Sequence, residues 1–132
     1  MELNGETLRF IREHCKDDVR SLALQAPKYP GVDMSVALTQ IAGRQAAAEK
    51  IPSWHEEEGV LYPRHLSLEQ CSSEATARYK ASIIPESSSG TLTDLTGGFG
   101  IDCAFLSPKF HHVTYVERQE VLCEIASHNF PL

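Results

Sequence analysis

Residues 91–102 carry the most informative pattern of the chain, Thr91-Leu92-Thr93-Asp94-Leu95-Thr96-Gly97-Gly98-Phe99-Gly100-Ile101-Asp102. Its first three residues favour a short strand. Apolar residues at helical spacing predict a helix over residues 101–107, which Pro108 ends. The glycines between them allow the backbone to pass close to a ligand, because glycine has no Cβ and adopts positive φ at little cost. The pattern predicts a strand, a turn and a helix that seat a nucleotide-like cofactor.

A second strand is predicted at residues 111–117, which are rich in β-favouring side chains, and a further helix at residues 120–127. A helix between two strands is the connection that parallel pairing requires, so we expect a βαβ unit. Asp94 and Glu117 then end neighbouring strands at one edge of the sheet. A carboxylate at the second position can accept hydrogen bonds from both hydroxyls of a ribose, which makes Glu117 a candidate sugar ligand.

The part of the chain before residue 86 has a helical period instead. We predict helices over residues 5–14, 19–25 and 34–50, the last capped by Asp33. Ser67 and Gln70 form a capping-box pattern that predicts a fourth helix to about residue 82. Residues 86–90 favour turns and have no apolar period, so they mark a boundary. We expect a helical domain over residues 1–85, followed over residues 86–132 by the truncated start of a Rossmann-like domain, in the order βαβα.

Composition excludes several classes of protein. The 132 residues carry 12 basic and 18 acidic side chains, a net charge of −6, which does not favour a polyanionic partner. No apolar run is long enough for a membrane span, and the N-terminus lacks the apolar core of a signal peptide. We expect a cytoplasmic protein with no membrane partner. The four cysteines are scattered without metal-ligand spacing, so we expect reduced thiols and no metal site.

Residues 67–118 resemble the class I S-adenosylmethionine-dependent methyltransferases, and most of all those RNA-modifying members in which an Asp-x-Thr-x-Gly-x-Gly-x-Asp loop is followed by Glu-Arg. The resemblance implies S-adenosyl-L-methionine as the cofactor. The helix before the first strand looks like one that often lies over the cofactor in such enzymes. The residues that the resemblance places at the cofactor are Asp94, Thr96, Gly97, Gly98, Gly100, Asp102, Glu117 and Arg118, together with Gln70, Ser72 and Ser73 on that helix.

The resemblance further implies that this chain is the N-terminal portion of a longer methyltransferase. The strands that complete such a domain, and the loop that orients the methyl acceptor, have no counterpart here, so the fragment alone should be inactive. We assign no catalytic residue to it. RNA as acceptor rests on family analogy, and would be bound through the missing C-terminal part. The unprotected edge of the short sheet is expected to allow association between copies of the chain.

Two other functions stay open at this point. A dinucleotide-binding oxidoreductase needs a Gly-x-Gly-x-x-Gly or Ala fingerprint, and the third position, counted from Gly98, is Cys103. A non-catalytic helical interaction module would use residues 1–85 and bind no adenosine. The individual residues also have plainer interpretations. The glycines can form a tight turn, Asp102 can be an acid in the first turn of a helix, and Arg118 can be a solvated side chain.

Overall fold

The computed structural model describes residues 3–86 and 90–132. The centre of the boundary predicted at residues 86–90, residues 87–89, lies outside the described residues. The described part is mostly helical and contains a small parallel sheet. Its elements are α1 (Gly5–Glu13), α2 (Val19–Leu24), α3 (Met34–Lys50), α4 (Pro52–Glu56), α5 (His65–Gln70), α6 (Glu74–Ser82), β1 (Thr91–Asp94), α7 (Ile101–Leu106), β2 (His112–Tyr115) and α8 (Glu120–Asn129).

The first three predicted helices are confirmed, and each begins at a side-chain cap. Asn4, Asp18 and Asp33 accept hydrogen bonds from backbone N–H groups three residues further on, at the starts of α1, α2 and α3. The helices enclose an apolar cluster of Phe10, Leu22, Ala37 and Ile41, all of them buried. Local capping and a small shared core therefore account for this half of the chain. The short helix α4, which begins at Pro52, was not predicted.

The single helix predicted from Ser67 to about residue 82 is wrong, because two helices occupy this segment. Helix α5 ends at Gln70, and Cys71 and Ser73 are extended at the break. The Ser73 hydroxyl accepts a hydrogen bond from Thr76 N and starts α6. The capping box at Ser67 is not used, since α5 begins two residues earlier, at His65, without a side-chain cap. The break places Cys71 and Ser72 beside the glycine-rich turn between β1 and α7.

The two predicted strands pair in parallel, as expected. Leu92 lies opposite Val113, and Asp94 lies opposite Tyr115. Side chains alternate along both strands between exposed and half-buried, and Leu92, Asp94, Val113 and Tyr115 are half-buried. Helix α7 connects the strands, and α8 follows β2. Within the described residues the sheet consists of these two parallel strands, so the predicted Rossmann-like domain stays a prediction.

The main apolar core combines residues from both sides of the predicted boundary. Phe99, inside the glycine-rich turn, is 1% exposed and lies edge-on to Trp54, with ring centroids 5.1 Å apart. It also packs near the ring of Tyr62, with ring centroids 6.0 Å apart. The remaining buried members of this cluster are Ala47, Ile51, Val60, Leu68, Ala77, Ile101 and Ile125. The glycine-rich turn is thus anchored on the helical half by an aromatic side chain.

The helices of the described residues are all too short or too polar to cross a lipid bilayer.

Candidate functional site

The turn between β1 and α7 is held by backbone hydrogen bonds to the segment after β2. Val116 N donates to Asp94 O, and Gly97 N donates to Val116 O, both at 2.9 Å. Gly98 and Gly100 have φ of +54° and +90°, in the left-handed region that favours glycine. Gly100 is the N-cap of α7. The turn is therefore a tight, glycine-dependent connection at the carboxyl ends of both strands.

The surroundings of the three glycines differ. A Cβ on Gly97 would stand 2.3 Å from the Tyr115 ring, and one on Gly100 would stand 2.8 Å from the Phe130 ring. Close packing against these two rings thus explains why positions 97 and 100 are glycines. A Cβ on Gly98 would meet only Thr96 O, at 3.6 Å, so that position faces open space. The tight turn therefore explains all three glycines: Gly97 and Gly100 through close packing, and Gly98 through its positive φ. Only at Gly98 is there also room for a ligand beside the backbone.

A cavity of about 240 Å³ opens beside this turn and brings together most of the predicted site residues. The break between α5 and α6 forms one wall, and the glycine-rich turn forms the other. The predicted residues that line the cavity are Gln70, Ser72, Asp94, Thr96, Gly97, Gly98, Gly100 and Asp102. Glu117 contacts the turn from outside this lining. Ser73 caps α6, and Arg118 is exposed; neither lines the cavity.

Glu117 receives two backbone hydrogen bonds. Gln119 N donates to its Oε1 at 2.8 Å, and Gly98 N donates to its Oε2 at 2.9 Å. These hydrogen bonds hold the pKa of Glu117 below its usual value, and the one from Gln119 N has the larger effect. The side chain is therefore an ionised acceptor at neutral pH. Each carboxylate oxygen accepts more than one hydrogen bond, so Glu117 retains capacity for ligand hydroxyls.

Asp94 and Tyr115 fix the turn from the two strand ends. Asp94 Oδ1 accepts a hydrogen bond from Thr96 N at 3.0 Å. The Tyr115 hydroxyl donates to Gly98 O, and burial raises the pKa of this phenol well above its ordinary value. Tyr115 thus stays protonated and serves as a donor. Sequence reasoning placed Tyr115 in the second strand but did not assign it this contact.

Asp102 is held by side chains of the helical half. Its Oδ2 accepts hydrogen bonds from Lys80 Nζ at 2.9 Å and from Ser72 Oγ at 3.0 Å. Its Oδ1 is buried and has no hydrogen-bond partner within the described part of the chain. Such an atom is costly to leave unpaired, so it marks a place where a ligand donor fits. Lys80 was missed from the sequence, although it lies three residues after the buried Ala77 on the same face of α6.

Cys71 lines the same cavity but is not an activated nucleophile. Burial raises the pKa of its thiol, and its Sγ donates a hydrogen bond to Leu68 O. All four cysteines are free thiols. Residues 3–86 and 90–132 contain no cluster of three or more His, Cys, Asp or Glu side chains that could hold a metal ion.

A larger cavity of about 510 Å³ lies elsewhere, between α4, α7, β2 and the end of α8. Trp54, Val113, Tyr115 and Phe130 make its walls mostly apolar, and it contains none of the predicted site residues. Judged by volume alone, this cavity would be the better candidate for a ligand site. The smaller one is the better candidate site, because it combines carboxylates, exposed turn backbone and an unpaired carboxylate oxygen.

The chain was compared with protein families, curated proteins and solved structures, and it is similar to one solved structure. The chain matches no family model and no curated protein. It is similar to a crystal structure from Porphyromonas gingivalis W83 described as that of a "putative methyltransferase", with 29% identity and a TM-score of 0.75. The chain resembles part of a methyltransferase. The match covers 95% of this chain and 31% of that one, so the chain spans about a third of the length of its structural relative.

Proposed function

We propose that this chain forms the first part of the S-adenosyl-L-methionine site of a methyltransferase. The observation that carries the proposal is the cavity at the glycine-rich turn, where Asp94, Asp102 and the open face of Gly98 meet at the ends of two parallel strands. The methyltransferase-like relative supports the class of activity.

The residues of this cavity, together with Glu117 just outside its lining, fit such a cofactor by their chemistry. Glu117 is an ionised acceptor suited to ribose hydroxyls, and the open face of Gly98 admits a close approach to the backbone. The unpaired Asp102 Oδ1 accepts a further donor. Asp94, Thr96, Gly97 and Gly100 complete this wall in the proposal, and Gln70 and Ser72 face it.

The cofactor supplies an activated methyl group on a sulfonium, so no general base is needed from this chain. The part left to the residues described here is to bind and orient the cofactor. We assign no acceptor-binding role to residues 3–86 and 90–132. RNA is our proposed acceptor, on the strength of the Asp-x-Thr-x-Gly-x-Gly-x-Asp and Glu-Arg patterns.

Calorimetric titration of S-adenosyl-L-methionine and NAD⁺ into the intact protein tests this function. We expect the first ligand alone to bind. Asp94→Ala and Glu117→Ala should each weaken its binding by about tenfold or more, because each removes a charged hydrogen-bonding group. Glu56→Ala, at an exposed carboxylate that lines neither this cavity nor the larger one, serves as the matched control. Binding of NAD⁺ alone would favour an oxidoreductase, and binding of neither ligand would refute the proposal.

A further inference from the structure

Lys80 lies behind the candidate site, on the face of α6 that packs against α7. Its ammonium donates to Asp102 Oδ2 at 2.9 Å and to Ser72 Oγ at 3.1 Å, while Ser72 Oγ donates to the same Asp102 oxygen. The three side chains form a closed triangle. It joins the α5–α6 break to the first turn of α7, across the predicted domain boundary.

This triangle constrains one oxygen of Asp102 and leaves the other unpaired. Two donors hold Oδ2, whereas Oδ1 is buried without a partner in a residue that lines the cavity. The Lys80 and Asp102 side chains are 44% and 31% exposed, and ion pairs with this much solvent contact add little to stability. Stability alone is therefore a weak reason for the arrangement. Its clearest effect is to fix the direction in which Asp102 presents its second oxygen.

The chemistry of the unpaired Oδ1 also indicates which kind of donor it would accept a hydrogen bond from. An ionised carboxylate oxygen only accepts hydrogen bonds, and its strongest partners are charged N–H donors. S-adenosyl-L-methionine has an ammonium group on its amino-acid portion, whereas its adenosine portion has only neutral donors. Glu117, which accepts hydrogen bonds from Gly98 N and Gln119 N, already suits the ribose hydroxyls.

We propose that Lys80 is a positioning residue of this site, which acts through Asp102 to present Oδ1 to the ammonium of the ligand's amino-acid portion. Lys80 touches no ligand in this arrangement. Ser72 shares the task, because its hydroxyl contacts both members of the ion pair. The inference rests on the proposed function.

The test compares two ligands on the same variants. S-adenosyl-L-methionine and 5′-methylthioadenosine share the adenosine portion, but only the first has the amino-acid portion. Lys80→Met keeps the aliphatic length and removes the charge, while Lys80→Arg keeps the charge. Lys109→Met is the matched control, since Lys109 pairs with Glu86 away from the cavity. Ser72→Ala removes only the hydroxyl corner of the triangle, and thermal unfolding of each variant reports on folding.

We expect Lys80→Met to weaken S-adenosyl-L-methionine binding by about tenfold and 5′-methylthioadenosine binding by no more than about twofold. Lys80→Arg should bind both ligands nearly as the wild type does, and Ser72→Ala should lie between. An equal loss of both ligands in Lys80→Met, or no loss of either, would overturn the inference and leave the proposed function intact. A wild-type protein that binds neither ligand would overturn both.

Discussion

At the scale of single residues, the glycines of the turn are explained by different neighbours. Gly98 has positive φ, and a Cβ there would meet only Thr96 O, at 3.6 Å, whereas a Cβ on Gly97 would overlap the Tyr115 ring. A sequence pattern treats these glycines alike, because it contains no information on what each Cβ would meet. Their separate roles lead to a prediction for Gly97.

Gly97→Ala should destabilise the fold by about 1–3 kcal/mol, because its Cβ would overlap the Tyr115 ring. Urea unfolding measures the change. Gly5→Ala is the matched control, since nothing lies within 4 Å of the added Cβ, and we expect a change within about 0.5 kcal/mol. Adding Tyr115→Ala should recover part of the loss in a double-mutant cycle. Strictly additive effects would show that the two side chains do not clash.

At the scale of secondary-structure elements, the break between α5 and α6 shapes the candidate site. A continuous helix over residues 67–82 would leave Cys71, Ser72 and Ser73 inside a helical face, whereas the break lets Cys71 and Ser72 line the cavity. Ser73 maintains the break by capping α6, and α6 in turn carries Lys80. A structural role in the helix start thus accounts for Ser73 without a ligand.

Ser73→Ala should lower the free energy of unfolding by about 1 kcal/mol, because Thr76 N loses its side-chain acceptor. Ser73→Asp keeps an acceptor at the N-cap and should stay within about 0.5 kcal/mol of the wild type. Urea unfolding of both variants distinguishes the cases. An equal loss in the two variants would mean that the hydroxyl does something other than cap α6.

At the scale of the whole molecule, one apolar core joins the helical half to the glycine-rich turn and to the helices α7 and α8. Phe99 and Ile101 enter this core from the glycine-rich turn, and Ala47, Leu68 and Ala77 enter it from the helices. The cavity lies along the same junction. A ligand bound there would contact both halves and stabilise them together.

The short sheet also leads to a proposal about association. Within the described residues β1 and β2 pair only with each other, so each strand has an outer edge. We propose that these edges pair between copies of the chain at high concentration, as unprotected edges do. Light scattering should then show a mass that rises with concentration, and strand amides should exchange hydrogen more slowly. A constant monomer mass with unchanged exchange would contradict this.

Local patterns were sufficient for much of this structure. The cap at Asp33, the parallel strands and the glycine-rich turn were predictable, because capping hydrogen bonds and φ preferences act between residues close in sequence and a single helix connects the two strands. The resemblance over residues 67–118 identified eight of the 14 residues that line the cavity. That those residues bind a cofactor stays a prediction.

Contacts between residues far apart in sequence determine the remaining features of the structure. The helix break at Cys71 allows Ser72 to reach Asp102, 30 positions later, and Lys80 meets the same oxygen across the predicted boundary. The Tyr115 ring fills the space that a side chain at position 97 would need. Helical or strand periodicity cannot predict these contacts, because it shows which face of an element is apolar but not which partner that face packs against.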